Sequence, residues 1–305
     1  MRKGISRTLG LTFLQLLLWS CANNATDGPA DIVSCFGQER KVDILGYDSD
    51  AMEPFISKDD RYLFFNSYKG AHNKDIFYAE KMNDTTFVFK GEVLGVNSDY
   101  VDANPTMDAQ NRFYFISTRR LDSGNKTIFG GVFDSGRVRD LQVISGTINI
   151  PTPYWINMGV EISSDGRTLW VSNARFNSGD NFPTEGHIRF AVKTDSLFNI
   201  PDNETQILKN INTDAAIQYA GEISYDGLEL FYSQVALSDP PVFKLLHAVR
   251  PQSDVPFGKP VAIEEPFKND AHAVVEAPTL SADGKRLYYH KPDNGVFAIF
   301  MLRRE

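Results

Sequence analysis

The chain is poor in cysteine and histidine, and this limits the chemistry that it can perform. Its 305 residues include 2 cysteines and 5 histidines, and no two histidines are spaced as a metal-binding pair on one element. So few cysteines cannot build a cysteine-rich zinc site. The sequence also lacks a glycine-rich phosphate loop and the His-Glu-x-x-His and Gly-x-Ser-x-Gly motifs. Nucleotide, zinc-protease and serine-hydrolase sites of the common kinds are therefore not indicated.

Positive charge is also scarce. Lysine and arginine total 31 against 39 acidic residues, which gives a formal net charge of −8. An acidic chain is a poor match for phosphate backbones, so we expect no nucleic-acid partner. Aromatic residues, by contrast, make up 12% of the chain, with 22 glycines and 15 prolines. This composition is typical of an all-β protein with many turns.

The first 20 residues predict an export signal. Arg2, Lys3 and Arg7 precede an apolar stretch over residues 9–19, which is too short to span a bilayer comfortably. The stretch ends in Leu18-Trp-Ser-Cys21, which resembles the lipobox of bacterial lipoproteins.

That resemblance implies a lipid-modified Cys21, cleavage before it, and membrane anchoring. By resemblance to the sorting of enterobacterial lipoproteins, the absence of Asp after Cys21 implies the outer membrane, on its periplasmic or surface side. We therefore expect a signal peptide over 1–20, a lipidated cysteine and tether over 21–37, and a folded domain over 38–305.

One sequence pattern recurs five times in that domain. A short strand leads to a turn, often Asp-Gly, and an aromatic-rich strand follows. Aligned on the serine before the turn or its equivalent, the repeats lie at Ser57, Asp108, Ser163, Ser224 and Ser281. Asp-Gly is a strong hairpin signal because glycine accepts a positive φ. Asp59-Asp60 and Gln110-Asn111 replace it in the first two repeats.

Each repeat also carries a third strand, and several carry a fourth, as in propeller blades. The fifth repeat ends after its third strand, so we expect Lys41–Leu45 to supply its fourth and close the ring. The sequence thus predicts a five-bladed β-propeller of four-stranded antiparallel blades, closed by the N-terminal strand.

The repeats resemble those of TolB-type, WD40-like β-propellers, whose signature is roughly Pro-x-x-Ser-x-Asp-Gly-Lys-x-Leu-x-Phe. Residues 276–289 match this signature well. The resemblance implies a binding platform, periplasmic scaffold or enzyme accessory domain. It also leaves a six-bladed TolB-like ring as an alternative.

Three glutamates are candidate functional residues. The first strand of a blade lines the central channel, and alternate side chains share a face. This places Glu53, Glu161 and Glu222, together with Asn104, around one axis. Three interpretations are open. These residues form an inert lining or a recognition surface, they bind Ca²⁺, or they include the paired carboxylates of a glycosidase.

Aromatic residues in long connections are the second set of candidates. Tyr154, Trp155, Phe176 and Tyr219 are suited to stack on a sugar or a peptide. Alternatively, they pin their own loops.

The sequence favours a non-enzymatic, monomeric cell-envelope lipoprotein that binds a protein, a peptidoglycan-associated partner or a glycan without a cofactor. The alternative is a carbohydrate-active enzyme with catalytic carboxylates in its channel.

Overall fold

The computed structural model describes residues 36–68, 70, 73–123, 125–179 and 182–304, which belong to one unit over Ser34–Glu305. The predicted signal peptide, Cys21 and almost all of the predicted tether lie outside these residues. Among the described residues, no helix has the length and apolar character needed to cross a membrane.

Strands dominate the described residues. In chain order they are β1 (Phe36–Lys41), β2 (Asp43–Leu45), β3 (Met52–Ile56), β4 (Tyr62–Tyr68), β5 (Lys74–Asn83), β6 (Thr86–Glu92), β7 (Asp102–Met107), β8 (Arg112–Ser117), β9 (Ile128–Asp134), β10 (Arg137–Val143), β11 (Trp155–Ile162), β12 (Thr168–Arg175), β13 (Glu185–Thr194), β14 (Leu197–Asn199), β15 (Ala216–Ile223), β16 (Glu229–Ala236), β17 (Val242–Val249), β18 (Val261–Ala262), β19 (Glu276–Leu280), β20 (Arg286–Asp293) and β21 (Val296–Arg304). One short helix, α1 (Glu204–Ile207), and the 3₁₀ segments Thr118–Ser123 and Glu265–Phe267 complete the described elements.

These strands form five antiparallel blades, as the five repeats predict. The blades are β3–β6, β7–β10, β11–β14, β15–β18, and β19–β21 together with β1. The protein is therefore a five-bladed β-propeller, and the six-bladed alternative is wrong.

Both ends of the described chain meet in the fifth blade, but the closing strand is not the one expected. β1 pairs antiparallel with β21, Phe36 opposite Arg304 and Lys41 opposite Phe300. Beyond Val42 the chain turns to the first blade, where β2 pairs in parallel with β6. The predicted closing segment, Lys41–Leu45, thus divides between two blades, because its alternating pattern fits either edge.

The repeated turn is built by its serine and aspartate. In the third blade Ser163 Oγ donates to Asp165 Oδ1 (2.6 Å) and accepts from the backbone N–H of Thr168 (2.9 Å). Gly166 then takes a φ of +70°. In the first two blades Asp60 (φ +61°) and Asn111 (φ +62°) occupy this left-handed position, as their place in the repeat predicts.

Apolar clusters fill the spaces between neighbouring blades. Phe64 of the first blade lies 5.3 Å from Phe113 of the second, measured between ring centroids. A corresponding cluster joins the fifth blade to the first, with Tyr288 and Ile299 packed near Leu63. Burial of each such side chain contributes roughly 1.5–3 kcal/mol, so the ring is held by its blade interfaces.

Candidate functional site

A bulge at the same place in each innermost strand shapes the channel. The register of β3, β7, β11, β15 and β19 shifts by one residue against the second strand. In four blades a non-glycine residue there has a positive φ, and these residues are Glu53, Asn104, Ala220 and Ala277. A bulge breaks the two-residue alternation of a strand. Residues just before it therefore also turn toward the axis.

One half of the resulting polar group is centred on Glu53. Its Oε1 lies 2.8 Å from Lys74 Nζ, and its Oε2 accepts a hydrogen bond from Asn104 Nδ2 (3.0 Å). Asn104 Nδ2 also donates to the carbonyl oxygen of Met158 (3.2 Å) in the third blade. The Lys74 ammonium lies 5.5 Å from the centre of the Tyr68 ring, half of which is exposed. Contacts between three blades thus fix a partly accessible carboxylate beside an aromatic surface.

The other half is centred on Glu276. Tyr219 donates its hydroxyl to Glu276 Oε1, and His290 Nε2 lies 3.5 Å from Glu276 Oε2. His290 Nδ1 accepts the backbone N–H of Glu53 (3.2 Å), so its ring proton belongs on Nε2, facing Glu276. We call the six residues of both halves the mouth: Glu53, Lys74, Asn104, Tyr219, Glu276 and His290.

The mouth holds its charges in defined states. Burial favours the neutral form of Glu276, but hydrogen bonds from His290 and Tyr219 and the charge of Lys74 outweigh it and lower the pKa of this carboxyl. Burial opposes the charge on Lys74, and the Glu53 carboxylate more than compensates, so the pKa of this ammonium is raised. Burial and the two nearby carboxylates, Glu276 and Glu53, raise the pKa of the Tyr219 hydroxyl well above its usual value. At neutral pH the mouth therefore holds an ionised Glu276, a cationic Lys74 and a protonated Tyr219 hydroxyl that donates to Glu276.

Below the mouth, Lys58 closes the channel. Its Nζ lies 2.9 Å from Glu161 Oε1 and 3.5 Å from Glu222 Oε1, and all three side chains are at most 4% exposed. Thr106 Oγ1 donates to Glu161 Oε2 (2.5 Å), and the backbone N–H of Leu280 donates to Glu222 Oε1 (3.2 Å). We call Lys58, Glu161 and Glu222 the plug.

The plug is electrostatically compensated. Burial and the charge of Glu161 raise the pKa of Glu222 to about 8, although Lys58 counteracts them. Burial disfavours charge on Lys58 too, but the two glutamates outweigh it and raise its pKa. An ammonium in this position would repel a second cation. The channel interior is therefore ill suited to Ca²⁺, which was one interpretation of these glutamates from the sequence. Within the described residues, no group of three or more His, Cys, Asp or Glu side chains could hold a metal ion.

Space inside the channel is also limited. A cavity of about 30 Å³ lies among Glu53, Asn104, Glu161 and Glu222. It has room for about two water molecules, far below the roughly 300–1,000 Å³ of small-molecule sites. Glu161 and Glu222 are therefore placed to stabilise the ring rather than to meet a sugar.

A larger depression, the groove, lies on the third blade at the same end of the strands as the mouth. It has a volume of about 650 Å³, and its lining includes Trp155, Asn173, His187, Arg189, Glu204 and Lys209. It exists because β14 is only three residues long and the chain then leaves the blade edge toward α1. At this edge the Asn212 side chain makes the hydrogen bonds that a further strand would make. Its Oδ1 accepts the backbone N–H of Ile188 (2.9 Å), and its Nδ2 donates to the Ile188 carbonyl oxygen (2.8 Å).

The structure separates the residues that the sequence proposed. Glu53, Asn104 and Tyr219 meet at the mouth, whereas Glu161 and Glu222 lie in the plug. Trp155 lines the groove. Tyr154 is exposed beside it, and its carbonyl oxygen accepts the N–H of half-buried Phe176 (2.9 Å).

Sequence reasoning missed Lys74, Glu276 and His290. A signal existed for Glu276, since it stands five residues before Ser281, as Tyr219 stands five before Ser224. Equivalent positions in adjacent blades thus form the Tyr219–Glu276 contact. The assumed strict alternation hid this position.

Comparison with known proteins shows the fold but no family. No family model and no curated protein matches the chain. A solved glycoside hydrolase is similar with a TM-score of 0.56 at 11% identity, over 87% of this chain and 90% of that one. A family 117 glycoside hydrolase from the marine bacterium Zobellia galactanivorans has a TM-score of 0.54 at 12% identity, over 89% and 92%. TolB from Acinetobacter baumannii has a TM-score of 0.43 at 12% identity, over 84% of this chain and 55% of TolB.

Proposed function

We propose that this protein is a carbohydrate-directed propeller that binds a glycan at the mouth. The supporting observation is the arrangement of Glu53, Lys74, Asn104 and Glu276, which are partly exposed and fixed by contacts between blades. The carboxylates and the amide oxygen of Asn104 accept hydrogen bonds from sugar hydroxyls, while the Lys74 ammonium donates to them. Tyr68 adds an aromatic surface at the rim, which suits the apolar face of a sugar ring.

The structural neighbours agree with this ligand class. Two solved structures with TM-scores above 0.5 are described as glycoside hydrolases. Their identity to this chain is low, so the ligand class rests mainly on the chemistry of the mouth.

Hydrolysis is the second candidate function, and the lowered pKa of Glu276 favours it. An ionised carboxylate is what a glycosidase needs as nucleophile or base, with a second carboxyl as acid. Glu53, across His290 from Glu276, is the other carboxyl of the mouth. The plug takes no part, because its glutamates are buried and paired with Lys58.

A glycan array followed by calorimetry tests the binding proposal. Glu53→Gln, Asn104→Ala and Glu276→Gln should each weaken binding of an array hit at least tenfold, because each removes a charge or a hydrogen-bonding group at the mouth. Glu185→Gln is the control, since Glu185 is an exposed acid whose ion pair with Arg175 lies at the surface. Absence of any glycan hit, or equal binding by all the variants, would contradict the proposal.

Release of reducing ends from the same glycan separates binding from cleavage. Cleavage that Glu276→Gln abolishes would establish the enzyme. Binding without cleavage would leave a recognition protein, as the sequence favoured.

We further propose that the propeller works in the cell envelope as a lipoprotein anchored through Cys21, most simply in the outer membrane. A glycan of the envelope, free or associated with peptidoglycan or protein, is then within its reach. The motif that ends at Cys21 and the apolar stretch before it support this placement.

A further inference from the structure

The groove on the third blade has the size and composition of a second binding site. Its volume of about 650 Å³ lies inside the range of small-molecule sites. Trp155 is half-buried, and its ring centroid lies 6.2 Å from that of His187. The groove thus offers an aromatic wall with an accessible face.

The charged residues of the groove favour an anion. Arg189 is held in a fork by Glu204, with Nε 2.8 Å from Oε1 and Nη2 3.0 Å from Oε2. Glu204 engages only these two nitrogens, so Nη1 remains as the donor for a ligand within the described part of the chain. Because Glu204 is neutralised by Arg189, exposed Lys209 gives the lining a positive balance. Asp214, which is fully exposed and lies 3.9 Å from His187 Nε2, is not part of the groove lining. This positive lining contrasts with the net charge of −8 on the whole chain.

The groove is also within reach of the mouth. Trp155 begins β11, and Met158, three residues further along the strand, accepts the amide of Asn104 at the mouth. Three strand residues span about 10 Å. One oligosaccharide can therefore contact both places.

We propose that the groove binds an acidic sugar, a hexuronic-acid residue of the glycan. Its carboxylate pairs with Arg189 Nη1 and Lys209 Nζ, and its ring stacks on Trp155. This inference rests on the proposed glycan recognition, because it assigns the groove to the same chain of sugars.

The test compares two trisaccharides of one linkage, trigalacturonate and neutral galactotriose, in calorimetric titrations of the full protein. Trigalacturonate should bind more tightly, and added salt should reduce the difference. Lys209→Ala should weaken trigalacturonate binding roughly fivefold, and Trp155→Ala should weaken binding of both probes roughly tenfold. Arg189→Lys keeps the charge opposite Glu204 but loses the planar fork, so it should lower selectivity for the acid while preserving the fold.

Lys244→Ala is the control for Lys209→Ala. This exposed lysine lies outside the groove on β17, the strand of the fourth blade that corresponds to β13 of the third. Equal affinity for the two probes, or wild-type affinity in all three groove variants, would overturn the acidic-sugar proposal. If a neutral glycan from the array still bound and remained sensitive to Glu276→Gln, the proposed function would stand without it. If no glycan bound at all, both proposals would fail.

Discussion

Lys58 of the first blade reaches Glu161 of the third, and the two side chains form a 2.9 Å ion pair inside the channel. Removal of one partner from a buried ion pair costs about 3–5 kcal/mol, because a charge remains without compensation. Lys58→Met should therefore lower the free energy of unfolding by about that amount, as measured by chemical denaturation. Lys90→Met, which breaks an exposed pair with Glu80, should have no measurable effect.

A triple variant keeps this prediction testable if Lys58→Met alone does not fold. Lys58→Met with Glu161→Gln and Glu222→Gln removes the ammonium and both carboxyl groups together, so it should recover much of the lost stability. Lys58→Met with wild-type stability would contradict the assigned role of the plug.

The raised pKa of Glu222 predicts a pH-dependent stability. Between the usual pKa of a glutamate and the value of about 8 in the fold, folded Glu222 keeps its proton while unfolded Glu222 loses it. The folded state therefore binds more protons in this window, and stability falls as pH rises from about 4.5 to 8, by at most about 1.4 kcal/mol per pH unit from this group. Glu222→Gln cannot lose a proton, so its denaturation curves between pH 5 and 8 should show a shallower decline. Parallel declines in both proteins would rule out Glu222 as the source.

The closing strand should be essential for a monomeric ring. Glu39 on β1 accepts the Tyr289 hydroxyl and binds Lys291 Nζ (2.7 Å), and Arg304 of β21 covers the Phe36 ring at 4.6 Å. A chain that begins at Phe36 should keep the unfolding temperature of the full propeller. A chain that begins at Gly46 loses β1 and β2, exposes the edge of β21 and should aggregate. Light scattering and thermal unfolding distinguish them, and a stable monomer from the shorter chain would refute this assignment.

Membrane anchoring through Cys21 is open to a direct test. Cys21→Ser removes the thiol that would carry the lipid, so the protein should move from the membrane to the soluble fraction on cell fractionation. Asn23→Ser, two residues away, is the control and should remain with membranes. Membrane retention of Cys21→Ser would contradict the lipoprotein proposal.

The sequence predicted those parts of the fold that depend on local chemistry. Ser281, Asp283 and Gly284 form a self-contained turn, with Ser281 Oγ 2.6 Å from Asp283 Oδ1. Such a turn can be predicted from the sequence of a single repeat. The number of turns then set the number of blades. Strand pairing between distant parts of the chain was harder to predict. The residues around Val42 fit two places equally well, an antiparallel edge of the fifth blade and a parallel edge of the first.

The candidate site was only half predictable for a similar reason. Glu53 and Asn104 follow from their distance to the turn, but the bulge depends on non-glycine residues in a left-handed conformation, which local preferences argue against. Lys74 and His290 lie on the third and second strands of their blades, and reach the mouth only because the blades converge there. The burial of Glu161 and Glu222 required knowledge of where the Lys58 side chain points.

The bulges have a consequence for how this protein can change its specificity. Ala220 and Ala277 adopt the same left-handed conformation that holds Glu53 in the first blade, and both line the cavity under the mouth. Glu53 and Asn104 show that the same backbone conformation accepts a longer side chain in the first two blades. Single exchanges of these two alanines would change the chemistry of the channel lining while the five blades keep their architecture, which makes them natural starting points for engineered variants.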